Sequence, residues 1–114
     1  MQIKNYYALS VITYPEVPGV ALRHMRDLRG KRAENIELRI FQIEPGATTP
    51  FHSHAHAHDV LILHGGGLMR QAGDEQVVKA GDVVSIAADE PHSFTNNGME
   101  VLEFVCLDWA IAEG

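Results

Sequence analysis

The stretch from Asp59 to Ala87 reads DVLILHGGGLMRQAGDEQVVKAGDVVSIA. Glycine clusters at Gly65-Gly66-Gly67, Gly73-Asp74 and Gly81-Asp82 cut it into short runs of aliphatic and β-branched residues. Runs of this length, bounded by turn residues, read as strands joined by tight turns and are too short for stable helices. The rhythm continues on both sides. ENIELRIFQIEP (34–45) and GATTPFHSH (46–54) precede the stretch, and HSFTNNG (92–98) and MEVLEFVCLDW (99–109) follow it. Strand-like runs recur about every eight to twelve residues, which predicts an all-β antiparallel sandwich or barrel.

At 114 residues the chain has room for one core and so for one domain. An apolar content of 46% places it among globular proteins, and a formal charge of -6 argues against nucleic acid or an anionic membrane as partner. The single cysteine, Cys106, excludes an internal disulfide and fits a reducing compartment. MQIKNYYALS has no apolar signal-like core, and no aliphatic run could span a bilayer, so a cytoplasmic location is expected. Residues 1–19, broken by Pro15, Pro18 and Gly19, read as an N-terminal arm that packs on the barrel or on a second subunit. Residues 20–114, beginning with the run Val20 to Leu28, read as the barrel.

The chemistry-bearing residues are histidines. HSHAHAHD (52–59) supplies His52, His54 and His58, and PHSFTN (91–96) supplies His92, a spacing suited to one metal. A strand rises about 3.3 Å per residue, so an extended run from 52 to 58 would cover about 20 Å, too far for one ion to reach both ends. The chain must therefore bend between His54 and His58, where Ala55 and Ala57 allow it and His56 rides outward. Alternation then sends His58, Val60 and Ile62 inward and Asp59, Leu61 and Leu63 outward, which favours His58 over Asp59 as a ligand. Apolar residues on both faces of that strand call for a cover, for which a dimer interface is the economical candidate.

By the same parity His92, Phe94 and Asn96 share a face, as do Leu102, Phe104, Cys106 and Asp108. If the latter face inward, Phe94, Phe104 and Cys106 line an apolar substrate pocket. Arg39 would join them and hold an anionic group if its face of ENIELRIFQIEP is the inner one; Ile36, Leu38 and Ile40 make the opposite choice equally reasonable. His56 and His64 read as solvated loop or rim residues, and His24 as an ordinary surface residue. Gly65 and Gly98 read as positions needing positive φ or close approach.

Two stretches carry a family resemblance. Gly46-Ala-Thr-Thr-Pro-Phe-His52-Ser-His54, with His58 and Gly65 after it, resembles the first cupin motif, and Gly81, Pro91, His92 and Asn96 resemble the second. Over roughly residues 20 to 108 the chain resembles the small single-domain manganese-type cupins. The resemblance implies a double-stranded β-helix (jelly-roll) barrel, a homodimer, and one divalent transition metal per chain on His52, His54, His58 and His92. Manganese comes first by resemblance, with iron, nickel, copper or zinc also compatible. Four neutral imidazoles leave an octahedral ion two adjacent open positions. The expected function is that of a metal-dependent oxygenase or oxidase acting on a small organic substrate. The alternatives are a non-redox isomerase or lyase of a sugar acid, and a non-catalytic ligand-binding or sensor module.

Overall fold

The computed structural model describes residues 1–25 and 36–109. The parts of the barrel span at 26–35 and 110–114, including the end of the Val20–Leu28 run, lie outside the described residues. In chain order the strands are β1 (Ile12–Thr13), β2 (Val20–His24), β3 (Ile36–Ile43), β4 (Ala57–His64) and β5 (Gly66–Gln71). They continue with β6 (Asp74–Lys79), β7 (Val83–Ile86), β8 (His92–Thr95) and β9 (Leu102–Trp109). A single 3-10 turn at Tyr6–Ala8 is the only helical element among the described residues.

The strands form two antiparallel sheets, β1-β2-β3-β9-β4-β7 and β6-β5-β8. Together they make a single-domain double-stranded β-helix. The turns fall where glycine pairs interrupt the apolar runs. Ala72-Gly73 joins β5 to β6 in a two-residue hairpin whose Gly73 has φ +75°, a conformation that suits glycine. The stretch 46–54 forms no strand. It runs alongside β8, tied by bridges from Thr48 to Thr95 and from His52 to His92.

Alternation fills the space between the sheets. Ile43, Val60, Ile62, Ile86, Leu102 and Phe104 from the larger sheet meet Met69, Val78 and Phe94 from the smaller, all buried. Each such side chain contributes about 1.5–3 kcal/mol through the area it removes from water. The β4–β5 corner depends on Gly65, at φ +74°, where a Cβ would stand 2.5 Å from the Val101 carbonyl oxygen. Here the chain leaves the larger sheet and enters the smaller one.

The N-terminal arm extends the larger sheet, covers part of its outer face with Tyr6 and Tyr7, and reaches the interior with Tyr14. β1 pairs with β2 and ends the sheet on that side among the described residues, and the Tyr6 and Tyr7 hydroxyls both donate to the Glu103 carboxylate on β9. Gln42 Nε2 donates to the same carboxylate at 2.8 Å. Burial alone would make Glu103 a weaker acid, but these donors outweigh it and hold it below the usual carboxylate range. Glu103 is thereby kept as a buried anion under the arm.

Candidate metal centre

Four histidines meet at one end of the barrel, between the sheets. His52 and His92 exchange backbone bonds, His52 N to His92 O at 3.2 Å and His92 N to His52 O at 3.0 Å, which sets their rings side by side. The His54 carbonyl accepts from the Asp89 N–H, anchoring the loop before it bends at Ala55 and His56. His58 is the second residue of β4, paired with Ile86 of β7 on one side and Asp108 of β9 on the other. Ring centroids are 4.3 Å apart for His52 and His54, 4.7 Å for His54 and His58, and 5.3 Å for His58 and His92.

The tautomers follow from the outer partners. His92 Nδ1 stands 2.8 Å from the Glu90 carbonyl oxygen, and His58 Nδ1 stands 2.5 Å from Asp108 Oδ1. Neither oxygen has a proton to give, so each Nδ1 carries the hydrogen and each Nε2 keeps its lone pair. His58 Nε2 is buried and has no hydrogen-bond partner in the protein. A buried acceptor in that state costs free energy unless it faces a cation.

Candidate ligand nitrogens of His52, His54 and His92 lie within 4.8 Å of one another. Two ligands trans across an ion at about 2.1 Å stand about 4.2 Å apart, so the set needs little closure. Protonation is disfavoured as well. Burial, then the charges of the neighbouring rings, lowers His54 from 6.5 to about 4, and His52 and His92 are lowered by burial first. Neutral imidazole is the form that ligates, so the residues present fit a divalent transition metal.

His56, His58 and Asp108 form a second such group. It is the poorer cation site, because Asp108 is already committed. Its Oδ2 stands 2.6 Å from Arg39 Nη2, while Oδ1 also accepts from Cys106 Sγ at 3.1 Å. Burial would make Asp108 a weaker acid, but the His58 hydrogen bond and the Arg39 charge hold it well below the usual carboxylate range. Cys106 is shifted the other way, chiefly by burial, so it remains a thiol rather than a thiolate.

Beneath the rings lies a cavity of about 200 Å³. Arg39, Phe94, Phe104 and Cys106 all line it, together with Phe41 and, from the arm, Tyr14. The aromatic wall is continuous: Phe104 stacks on Phe41 at 5.1 Å and meets Phe94 at 4.6 Å. The face of β3 left open by the sequence is thus settled. Arg39, Phe41 and the buried Ile43 face inward, while Ile40 lies on the other face opposite Arg23 of β2.

Two readings of the sequence need correction. His56 does not ride outward on the bend: its ring stacks 5.5 Å from His54, and its Nε2 lies 3.9 Å from Asp108 Oδ2. Small Ala55 and Ala57 let the loop fold back far enough to bring it there. His24 is not a surface residue but is buried, with Nδ1 2.5 Å from Glu37 of the adjoining strand β3. His64 does sit at the rim, its exposed side chain 3.0 Å from Glu100. Asp59 lies on the opposite face of β4 from His58, in register with Leu107 and Ser85. Asp108 was not singled out by the sequence, although an acid on the same face as Phe104 and Cys106 was a signal of its place inside.

A family model described as "Cupin domain" matches residues 39–108. The chain is 32% identical over 87 residues to an oxalate-binding protein of Thermotoga maritima, covering 73% of this chain and 72% of that protein. It is 35% identical over 71 residues to 1-methylthio-D-xylulose 5-phosphate methylsulfurylase of Rhodospirillum rubrum, covering 62% of this chain. The match spans only 46% of that enzyme's length. Among solved structures, the polyketide cyclase RemF of Streptomyces resistomycificus superposes with a TM-score of 0.82 at 20% identity, covering 100% of this chain and 82% of that one. At that identity the likeness speaks for the fold alone.

Proposed function

The chain belongs to the cupin family, and on that premise we propose a metal-dependent oxygenase or oxidase acting on a small, mainly apolar organic substrate. The metal would be held by His52, His54, His58 and His92, one ion per chain, with manganese first among the candidates. The observation that carries this reading is the meeting of four imidazoles with an aromatic-walled cavity of about 200 Å³.

A bound ion would polarise a substrate oxygen and, if redox-active, supply electrons for reaction with dioxygen. The chain's own residues do the rest. Asp108 and the Glu90 carbonyl fix two rings with Nε2 free, and the phenylalanines position an apolar body and keep water away. Turning over a sugar acid would instead require a free base and several hydroxyl partners. Both oxygens of Asp108 are engaged, and the cavity's other polar side chains besides the histidines are Tyr14, Arg39 and Thr49. That imbalance favours the redox reading.

A non-redox isomerase or lyase is the second reading, favoured by the similarity to a methylsulfurylase named for a sugar phosphate. A non-catalytic binding module is favoured by the similarity to an oxalate-binding protein. We further infer a homodimer in the cytoplasm without nucleic-acid partners; no helix of the described residues is long and apolar enough to cross a membrane.

The test is elemental analysis of untagged protein, then oxygen uptake with aromatic and enolic substrates. About one Mn, Fe, Ni or Cu per chain with substrate-dependent uptake is expected. Metal without uptake moves the assignment to the non-redox or binding reading. Failure to take up any metal on reconstitution overturns the site.

A further inference from the structure

Arg39 lines the cavity wall, with its side chain one-fifth exposed. Its Nη2 is 2.6 Å from Asp108 Oδ2 and 4.0 Å from Cys106 Sγ, and its guanidinium sits 5.0 Å from the Phe41 ring centroid. These contacts fix the plane of the group. Its Nε is buried and has no acceptor in the protein. An N–H of a guanidinium left in that state is costly, more so than a neutral donor, and the cost is removed when an oxygen is brought to it.

The rest of the cavity states what kind of molecule could bring that oxygen. Phe41, Phe94 and Phe104 offer a flat apolar surface, and about 200 Å³ holds a body the size of one aromatic ring with a short substituent. A phosphate group would demand more donors than one guanidinium already paired with Asp108 and the few hydroxyls present. A single carboxylate needs no more than a guanidinium edge, whose fork geometry suits it. Because Asp108 already offsets the charge of Arg39, the group supplies orientation and hydrogen bonding more than net attraction.

We propose that Arg39 is a carboxylate-recognition point in the cavity wall and that the ligand of this cavity is a small monocarboxylic acid with an apolar body. This rests on the cavity being the substrate site, but not on the metal. The acid group is read by Arg39 and the body by the phenylalanines.

The test compares benzoate with its neutral isostere benzamide, titrated calorimetrically into the full chain after chelation and again with Zn²⁺. Benzoate is expected to bind the chelated protein at least tenfold more tightly, and the ¹⁵N resonance of Arg39 Nε–H in the unaltered protein is expected to shift with benzoate only. Arg39→Gln should bring the two affinities together. Equal binding of the two compounds, no binding of either, or an unmoved Nε resonance overturns the proposal. So does binding that requires zinc, which would put the acid on the metal. If Arg39→Gln does not fold, the Nε shift in the unaltered protein decides. Metal content is measured separately, so failure of the metal site and failure of the acid site are told apart.

Discussion

Asp108 stands directly opposite His58 in the β4–β9 pairing, and its Oδ1 lies 2.5 Å from His58 Nδ1. The carboxylate both selects the tautomer with Nε2 free and fixes the ring by hydrogen bonding from a strand. An amide at 108 can turn its NH₂ toward His58 and favour the wrong tautomer. Asp108→Asn is therefore expected to weaken metal binding about 10- to 100-fold, measured by competition with a chelating dye. The ring ¹⁵N shifts of His58 should report the changed tautomer. Unaltered affinity in a folded variant would show that Asp108 serves packing only.

The ligand assignment separates two neighbours on opposite faces of one strand. His58 is buried toward the cluster, while Asp59 pairs in register with Leu107 and Ser85 on the far face. Removing His58 deletes the buried Nε2, so His58→Ala should lower metal occupancy far more than Asp59→Ala. Elemental analysis of the two variants decides it, and equal losses would sink the four-histidine site.

Acid should destabilise the metal-free protein before it touches ordinary carboxylates. His54 protonates at about 4 in the folded chain against 6.5 in the unfolded one, and His52 and His92 are lowered too. Between those values the unfolded chain binds protons that the folded chain refuses, so stability falls as pH falls through the window. Asp108, held below its ordinary 3.8, adds loss in the same direction at lower pH. The Tm of chelated protein is expected to be level above about pH 7 and to decline from there toward 4. A Tm that rises on acidification would contradict the packed, neutral histidine cluster.

The period-2 pattern made one strand legible almost residue by residue. His58, Val60 and Ile62 are buried, Leu61 and Leu63 are exposed, and the bend at Ala55-His56 follows from the reach of an extended chain. Alternation failed where both faces are covered. On β3 it could not choose between Arg39 and Ile40, because the barrel buries one side and the N-terminal arm, with Tyr6 and Tyr7 on Glu103 and Arg23 over Tyr7, covers part of the other. His24 and His56 were misjudged as well. His24 is buried beside Glu37 of a neighbouring strand, a contact local spacing does not carry, while His56 stays partly exposed and is turned back onto His54 and His58 by the tightness of the bend.

Gly98 is a further case, and it yields a paired test with Gly67. Gly98 has no positive φ, and a Cβ there would meet Asn96 Oδ1 only at an ordinary 3.4 Å. At Gly67 a Cβ would stand 2.3 Å from the Thr95 carbonyl oxygen and 3.2 Å from a Leu102 methyl. The carbonyl belongs to the paired strand β8 and cannot retreat without breaking the ladder. Gly67→Ala is expected to destabilise by about 1–3 kcal/mol or more, and Gly98→Ala to change little. Denaturant unfolding of both variants checks this; equal effects would mean that close approach is not what requires Gly67.

The outer face of β4 and β7 makes the last prediction. Leu61 and Val83 are register partners exposed by 42% and 72%, and Leu63, at 41%, extends the same face. Among the described residues β7 ends the larger sheet, so this apolar surface adjoins a strand edge that none of them pairs. Contiguous apolar area beside an open edge favours association, and a second copy supplies a matching surface by symmetry. The chain is expected to be a dimer by light scattering at micromolar concentration. Leu61→Lys with Leu63→Lys should convert it to a folded monomer, since charges on this face oppose burial but disturb no interior contact. A monomeric unaltered chain, or a dimer indifferent to both lysines, would remove this face from the interface.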